Sequence, residues 1–243
     1  MSKRLLSLTA AAAIGLMLLP TAGFAQEVVG AANRVDVWAY QTAPGQGRAD
    51  LFTNDQVVQN AAIKTVPTGA VLLTIKDGTQ LFVGPSSEVT LDEFIFEDEG
   101  DSGSLKLRHV SGALRFVTGK MRAPSYRINI GVATIGIRGT DITIRETDED
   151  ERHVYVDDGA IEVTPNNLST STGAAKGQVM RVTPDLAEIV DRGSAPAQPS
   201  LGGGGGQPGD IGAGEEGEPE TDEESEGEGS SGQGSGGGGE GPA

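Results

Sequence analysis

The sequence has no cysteine, only two histidines, and few aromatic side chains, which make up 4% of its 243 residues. Without cysteine, thiol catalysis, disulfide bonds and cysteine-based zinc sites are excluded. His109 and His153 are too few for a zinc site built on several imidazoles. Basic residues are also scarce, with 18 Lys and Arg against 35 Asp and Glu. Nucleic acid is therefore an unfavourable partner, because such binding depends on cations that neutralise phosphates.

Long apolar runs are confined to the start of the chain. Two basic residues precede an apolar run over residues 5–19, and Pro20 and small residues at 23 and 25 follow it. This order is typical of a secretory signal peptide over residues 1–25, cleaved before Gln26. The run is shorter than the roughly 18–20 residues of a spanning helix. We therefore expect a periplasmic or secreted mature chain without a transmembrane segment, with an uncleaved anchor as the alternative.

The end of the chain has almost no apolar side chains and no basic ones. Residues 202–243 contain 11 acidic residues, 18 of the 37 glycines, and no Lys or Arg. Such a segment cannot bury enough apolar surface to offset its ordering entropy, so we predict a disordered acidic tail over residues 196–243. The chain between the two ends has the size of one domain. We assign that domain to residues 50–195, preceded by an N-terminal extension over residues 26–49 with a candidate first strand.

Short apolar strands recur between turn signals at roughly ten-residue spacing, a pattern typical of an all-β domain. Candidate strands include residues 35–40, around the single tryptophan, and residues 51–59. Asp77-Gly78 lies between two apolar runs and favours a hairpin, because both turn residues need positive φ. Asp158-Gly159 repeats that arrangement. Periodicity alone leaves a sandwich, a barrel and a solenoid open.

Residues 132–144 form the most informative stretch. Apolar residues alternate on both sides of Gly139, which predicts a strand with one buried face. Gly136 and Gly139 lie within this strand pattern, where glycine costs stability, so they indicate a bulge or the close approach of another backbone.

Arg138 lies between these glycines and points away from the apolar face. We interpret it as a bracing residue that pairs with Asp77, Asp141 or Asp158, or binds backbone carbonyls at the bulge, since its planar fork suits such contacts. The alternative is a site that recognises an anion or a carboxylate.

Four ordered motifs and a late Gly-Gln pair resemble FecR-type domains. They are Asp77-Gly78-Thr79 with Pro85-Ser86-Ser87, the strand of residues 112–117, the stretch of residues 133–140, residues 158–163, and Gly177-Gln178. The family-motif residues, to which we assign a structural role, are Asp77, Gly78, Gly136, Arg138, Gly139, Thr140, Asp158 and Gly159. The resemblance implies a periplasmic β-strand module and favours a β-solenoid-like stack, with a β-sandwich as the alternative.

The resemblance also implies a signalling role, but this chain departs from the family pattern at both of its ends. In the regulators that give the family its name, the module follows a cytoplasmic anti-sigma segment and one transmembrane helix, and it relays iron-siderophore occupancy. Here only four residues precede the apolar run. We therefore expect a FecR-like domain without the anti-sigma segment and without sigma-factor binding.

No pattern groups a nucleophile, a base and an orienting residue. His109-Val110-Ser111 lacks a Gly-x-Ser-x-Gly elbow, and residues 114–121 lack Walker spacing. We predict no enzyme, with no catalytic, cofactor-binding or metal-ligating residues. The expected function is an exported, non-enzymatic binding or scaffold module of the bacterial envelope, accessory to signalling, whose partner is an unidentified envelope protein or ligand. The alternatives are a secreted structural or adhesin-like protein and a cell-surface signalling regulator related to iron uptake.

Overall fold

The computed structural model describes residues 26–97 and 101–201. These residues form strands and no helix, which confirms the all-β prediction for them. The strands are β1 (Val28–Asp36), β2 (Ala39–Thr42), β3 (Arg48–Leu51), β4 (Gln56–Val58), β5 (Ala62–Thr65), β6 (Ala70–Ile75), β7 (Gln80–Val83), β8 (Glu88–Glu97), β9 (Ser102–Ser111), β10 (Ala113–Val117), β11 (Tyr126–Asn129), β12 (Ala133–Ile137), β13 (Asp141–Asp148), β14 (Glu151–Asp158), β15 (Ala160–Pro165), β16 (Thr172–Ala175), β17 (Val179–Thr183) and β18 (Leu186–Val190). The predicted signal peptide and residues 202–243 of the predicted tail lie outside the described residues. Within the described part of the chain, no helix has the length and apolarity to cross a bilayer.

The strands belong to two sheets of nine strands each. The first sheet has the order β18-β17-β14-β13-β10-β7-β6-β1-β4, and the second has the order β16-β15-β12-β11-β9-β8-β5-β2-β3. The described pairs are antiparallel apart from β9 with β11, which run parallel. Early strands lie at one end of both sheets and late strands at the other. The chain thus advances along the stack while it alternates between the sheets.

Inward-facing side chains of both sheets meet in one apolar core. In β6, Val71, Leu73 and Ile75 are buried and the residues between them are partly exposed, and Leu105 and Leu107 show the same alternation in β9. Burying such a side chain contributes roughly 1.5–3 kcal/mol relative to leaving it exposed. The period-two pattern therefore selects the inner face of each strand, and the sheets pack face to face as in a sandwich.

Turns at the two long edges of the stack connect the strands. One edge, called the motif edge below, includes the turns of residues 76–79, 118–125, 138–140, 159 and 176–178. The other, called the opposite edge, includes the turns of residues 37–38, 52–55, 66–69, 84–87 and 112. Apart from the hairpin of residues 76–79, each of these turns carries the chain from one sheet to the other.

The prediction of a continuous strand over residues 35–40 is wrong. β1 ends in the first sheet at Asp36, Val37 has a φ of 63°, and the chain enters the second sheet at Ala39. A β-branched residue is disfavoured at positive φ, so the alternating sequence gives no sign of this break. The candidate stretch of residues 51–59 is divided into β3 and β4 by the turn of residues 52–55, where Asn54-Asp55 is a turn signal in the sequence.

Residues 133–144 also divide between the sheets. β12 pairs with β11 and β15 in the second sheet, whereas β13 pairs with β10 and β14 in the first. The predicted bulge is therefore a turn, at residues 138–140, that changes sheets.

The two Asp-Gly pairs have different roles. Asp77-Gly78 lies in the hairpin between β6 and β7, as predicted. Asp158-Gly159 instead connects β14 of the first sheet to β15 of the second, so the hairpin arrangement predicted there is wrong. The sequence pattern is the same because both turns require a residue at positive φ.

Candidate functional site

Six of the eight family-motif residues lie in turns of the motif edge, and Asp158 immediately precedes such a turn. Gly136 is the exception, because it lies inside β12. The turns come from distant parts of the sequence, and the alternation of the chain between sheets places them side by side. The motif edge is therefore the candidate site, and its contacts show what the motif residues do.

Asp77 is the buried centre of this edge. Its Oδ1 accepts a hydrogen bond from the Thr79 amide at 3.0 Å, and its Oδ2 accepts from Thr79 Oγ1 at 2.7 Å and from the Tyr126 hydroxyl at 2.9 Å. The first two bonds fix the β6–β7 hairpin locally, as an Asp side chain does in many turns. The bond from Tyr126 ties that hairpin to the start of β11.

The turn of residues 118–125 packs on this cluster. Thr79 Oγ1 accepts from the Gly119 amide at 3.1 Å, the Lys120 amide donates to the Asp77 carbonyl at 2.9 Å, and the Met121 amide donates to the Tyr126 hydroxyl at 3.0 Å. Burial raises the pKa of the Tyr126 phenol to about 12. The phenol thus stays protonated at neutral pH and remains able to donate to Asp77.

The next turn is joined by two threonines. The Thr118 amide donates to the Thr140 carbonyl at 3.0 Å, and the Thr140 amide donates to Thr118 Oγ1 at 3.2 Å. Beyond Thr140, the Arg138 amide donates to the Ala160 carbonyl at 3.1 Å, and the Lys176 amide donates to the Gly159 carbonyl at 3.0 Å. Backbone contacts therefore link successive turns along the edge.

Gly159 makes the closest of these approaches. Its φ is 76°, and a Cβ at this position would overlap with the Gly139 carbonyl oxygen and lie 2.8 Å from Thr140 Cγ2. Gly139 has a φ of 66°, but open space surrounds the position of its missing Cβ. Both turns need glycine for conformation, and only Gly159 also needs it for space.

Gly136 does not fulfil the predicted role. No positive φ occurs there, and the nearest atom to an added Cβ would be the Glu162 carbonyl oxygen at 3.8 Å, an ordinary contact. The prediction of a bulge or a close backbone approach at this glycine is wrong.

Arg138 points outward from the Ile135 and Ile137 face, as predicted. Its Nη2 lies 2.7 Å from Glu162 Oε1, and the two side chains are 62% and 51% exposed. The predicted partners Asp77, Asp141 and Asp158 were wrong. The glutamate lies directly across the β12–β15 pair, beside Gly136.

The largely buried ion pair of this region, which joins Arg115 and Asp141, was not predicted from the sequence. Arg115 binds Asp141 through two hydrogen bonds, 2.8 Å from Nε to Oδ1 and 2.5 Å from Nη2 to Oδ2, with side chains only 12% and 20% exposed. This bidentate contact raises the pKa of the Arg115 guanidinium. The available sequence signal was that two predicted strands carry opposite charges on their outward faces. The sequence does not show that these strands are adjacent, so the ion pair could not be predicted.

Arg138→Ala is expected to lower the free energy of unfolding by less than about 1 kcal/mol, because exposed ion pairs contribute little. The matched variant Arg115→Ala leaves Asp141 partly buried and unpaired, and we expect it to cost roughly 2 kcal/mol. Urea denaturation of both variants measures the difference. A loss at Arg138 as large as that at Arg115 would contradict the surface role of Arg138.

Side-chain hydrogen bonds also hold the opposite edge. Thr65 Oγ1 donates to the Gly84 carbonyl at 2.6 Å and accepts from the Ser87 amide at 3.0 Å. Ser87 Oγ accepts from the Ala113 amide at 2.8 Å. The turns between the sheets at this edge thus contain the Pro85-Ser86-Ser87 motif and Gly112, the residue before β10.

His109 lies in the core rather than at a surface site. It is fully buried in β9, and neither ring nitrogen has a hydrogen-bond partner in the part of the chain that the structure describes. Burial, and to a lesser extent the Arg152 guanidinium, lower the pKa of His109 to about 3. A neutral, inaccessible ring cannot serve as a base for an external substrate.

The buried His109 predicts a loss of stability in acid. Between pH 6.5 and pH 3 the unfolded chain binds a proton at this residue and the folded chain does not, so stability falls as the pH falls. From pH 7.5 to pH 5 this residue should remove about 2 kcal/mol. His109→Phe should flatten this pH dependence in urea titrations, and an unchanged slope would contradict the assignment. His153, whose pKa burial also lowers, is retained in both proteins as an internal reference.

No curated protein matches the chain in sequence. Two crystal structures of a "putative anti-sigma factor" from Parabacteroides distasonis ATCC 8503, at 2.50 Å and 1.65 Å resolution, are similar to it at 16% identity, with TM-scores of 0.41 and 0.40. Each match covers 53% of this chain and 57% of the other, so it spans little more than half of that protein.

The sequence model described as FecR protein matches residues 61–162. The matched segment runs from the start of β5 into β15 and contains all eight family-motif residues. The predicted resemblance is confirmed: residues 61–162 of this chain match the FecR family model.

Proposed function

We propose that this protein is an exported, non-enzymatic FecR-like module that binds or organises a component of the bacterial envelope, in a role accessory to signalling. The observation that carries the proposal is the FecR match together with the contacts of the motif residues. Asp77, Thr140 and Gly159 hold turns together, and the surfaces of the sheets remain for recognition. The proposed link to signalling is supported by the FecR family, because members of that family are regulators.

The outer surface of the second sheet suits an aqueous compartment. Cross-strand ion pairs join Lys64 to Glu88, Lys106 to Glu93 and Arg108 to Asp92 at 3.3, 2.7 and 2.8 Å. Such pairs keep a broad β-surface hydrated, and charged outward faces discourage non-specific sheet association. The absence of cysteine from the sequence also means that folding after export needs no disulfide formation.

Fractionation of cells that express the full chain tests the export part of the proposal. We expect the protein in the periplasm or medium, with a mature N-terminus at Gln26 identified by mass spectrometry. A Leu16→Arg and Leu18→Arg variant, which breaks the apolar run, should keep the unprocessed chain inside the cell. Cytoplasmic location of the unaltered protein would refute export.

Cross-linking tests the binding part separately. The exported protein should form a specific, saturable cross-link to one envelope component, and the export-blocked variant should not form it. Recovery of the exported protein only in the medium, without any such component, would favour the secreted structural alternative and contradict the proposal.

A further inference from the structure

After β18 the chain turns back across the outer face of the first sheet. The Ser194 and Ala195 amides donate to the Asp191 carbonyl at 2.9 and 3.1 Å and close this turn. Residues 195–201, called the strap below, then contact β14, β13 and the turn after β7. These elements succeed one another inward from the β18 edge, so the strap crosses the strands transversely. The sequence predicts a disordered tail from residue 196, whereas residues 196–201 contact the sheet.

Side chains of the sheet donate to the strap. The Tyr155 hydroxyl donates to the Pro196 carbonyl, and Arg145 Nη1 donates to the Ala197 carbonyl. Gln198 Nε2 donates in return to Thr143 Oγ1 at 3.1 Å and to Asp157 Oδ2 at 2.8 Å. The backbone hydrogen bonds between described residues do not join residues 196–201 to the sheet. The strap is thus held by its carbonyls and one amide side chain.

A socket receives the end of the strap. Leu201 is only 8% exposed, and a Cβ on Gly84 would lie 2.6 Å from Leu201 Cδ2 and 3.4 Å from the Ala113 methyl carbon. The absence of a side chain at Gly84 therefore makes room for the leucine. Tyr155 and Thr143 face outward from the sheet and are nevertheless each 1% exposed.

The strap sequence fits this mode of contact. Pro196-Ala197-Gln198-Pro199 is a Pro-x-x-Pro segment. Proline has no amide hydrogen, so such a segment presents carbonyls with few donors to satisfy, and its extended left-handed conformation loses little entropy on binding. Proline-rich ligands dock on aromatic-lined surfaces in this way.

We propose that the outer face of the first sheet around Tyr155 is a binding surface for extended Pro-x-x-Pro segments followed by a leucine, and that the strap occupies it as an intramolecular ligand. A partner segment of that chemistry replaces the strap, so recognition in trans depends on strap release. The inference rests on the proposed binding role and names the kind of partner that the role takes.

A strap-release variant of the full chain tests this inference. Gln198→Ala with Leu201→Asp removes two anchors of the strap and leaves the sheet unchanged. The probe is a fluorescent peptide with the sequence of residues 194–203, followed by anisotropy. A tethered ligand has an effective concentration near the millimolar range, so the wild-type chain should take up the peptide at least about tenfold more weakly than the release variant.

Two further variants assign the binding to this face. Tyr155→Phe in the release background should weaken peptide binding by about fivefold, since it removes one hydrogen bond. Gly84→Ala fills the leucine socket and should weaken binding of the peptide but not of a peptide whose leucine is replaced by alanine. Folding of each variant is checked by far-UV circular dichroism.

Two results would overturn the inference. One is a folded release variant that does not bind the peptide, or that forms dimers instead of binding it. The other is peptide binding that is unaffected by both Tyr155→Phe and Gly84→Ala. In either case, correct export and a specific envelope cross-link would leave the proposed function intact.

Discussion

Gly159→Ala is expected to lower the free energy of unfolding by roughly 3–5 kcal/mol. An alanine at a φ of 76° is strained, and its Cβ would overlap with the Gly139 carbonyl oxygen. Because that oxygen belongs to the neighbouring turn, relief requires the two turns to separate, and the Arg138–Ala160 backbone hydrogen bond lies directly beside them. Urea denaturation followed by far-UV circular dichroism measures the loss.

Two glycines of the same motifs serve as controls. Gly139→Ala has a similar φ but open space, so it should cost only about 1 kcal/mol. Gly136→Ala meets neither constraint and should change stability by less than about 0.5 kcal/mol. If Gly159→Ala cost no more than Gly139→Ala, close approach of the two turns would not be the reason for glycine at 159.

Asp77→Ala is expected to cost about 4 kcal/mol. The substitution leaves the Thr79 amide, the Thr79 hydroxyl and the Tyr126 hydroxyl without their buried acceptor. Each unsatisfied buried donor costs about 1–3 kcal/mol, and relaxation of the turn reduces the sum. The loss should appear as a lower urea midpoint with an unchanged dependence on urea concentration.

Asp158→Ala is the matched control, because it removes the aspartate of the other Asp-Gly pair. The Asp158 side chain is 67% exposed and pairs with Lys176 at 2.9 Å. We expect little change in its urea midpoint. Equal losses at Asp77 and Asp158 would show that the Asp-Gly turn itself, and not the buried hydrogen-bond cluster, determines stability.

The sequence predicted most strands because their burial alternates with period two. β6 and β7 are the two apolar runs that flank Asp77-Gly78, and that pair lies in the predicted hairpin. Such agreement is expected wherever apolar alternation and turn chemistry are both local properties.

Changes of sheet were not predictable from the same local evidence. A strand that continues straight and one that turns into the facing sheet both keep alternation, as the break at Val37 shows. Asp158-Gly159 has the sequence of a hairpin but connects two sheets, because positive φ serves either geometry.

For the candidate site, the sequence predicted a structural role for the motif residues but not the residues that they contact. A structural role for the motif residues agrees with the hydrogen bonds of Asp77 and the packing of Gly159. The partner of Arg138 depends on which strand lies beside β12, and that neighbour, β15, comes from the other side of a hairpin in the first sheet. The pairing with Glu162 therefore required the strand order.

The strap determines the point from which the rest of the chain departs. β18 is the edge of the first sheet and β7 is five strands further in, yet Leu201 lies beside Gly84 at the end of β7. With strands about 4.8 Å apart, release of the strap would move the attachment point of residues 202–243 by up to about 24 Å, from mid-sheet to the edge. A partner bound to residues 202–243 could then lie that much further from the middle of the first sheet. The few hydrogen bonds of the strap therefore control where this segment is attached.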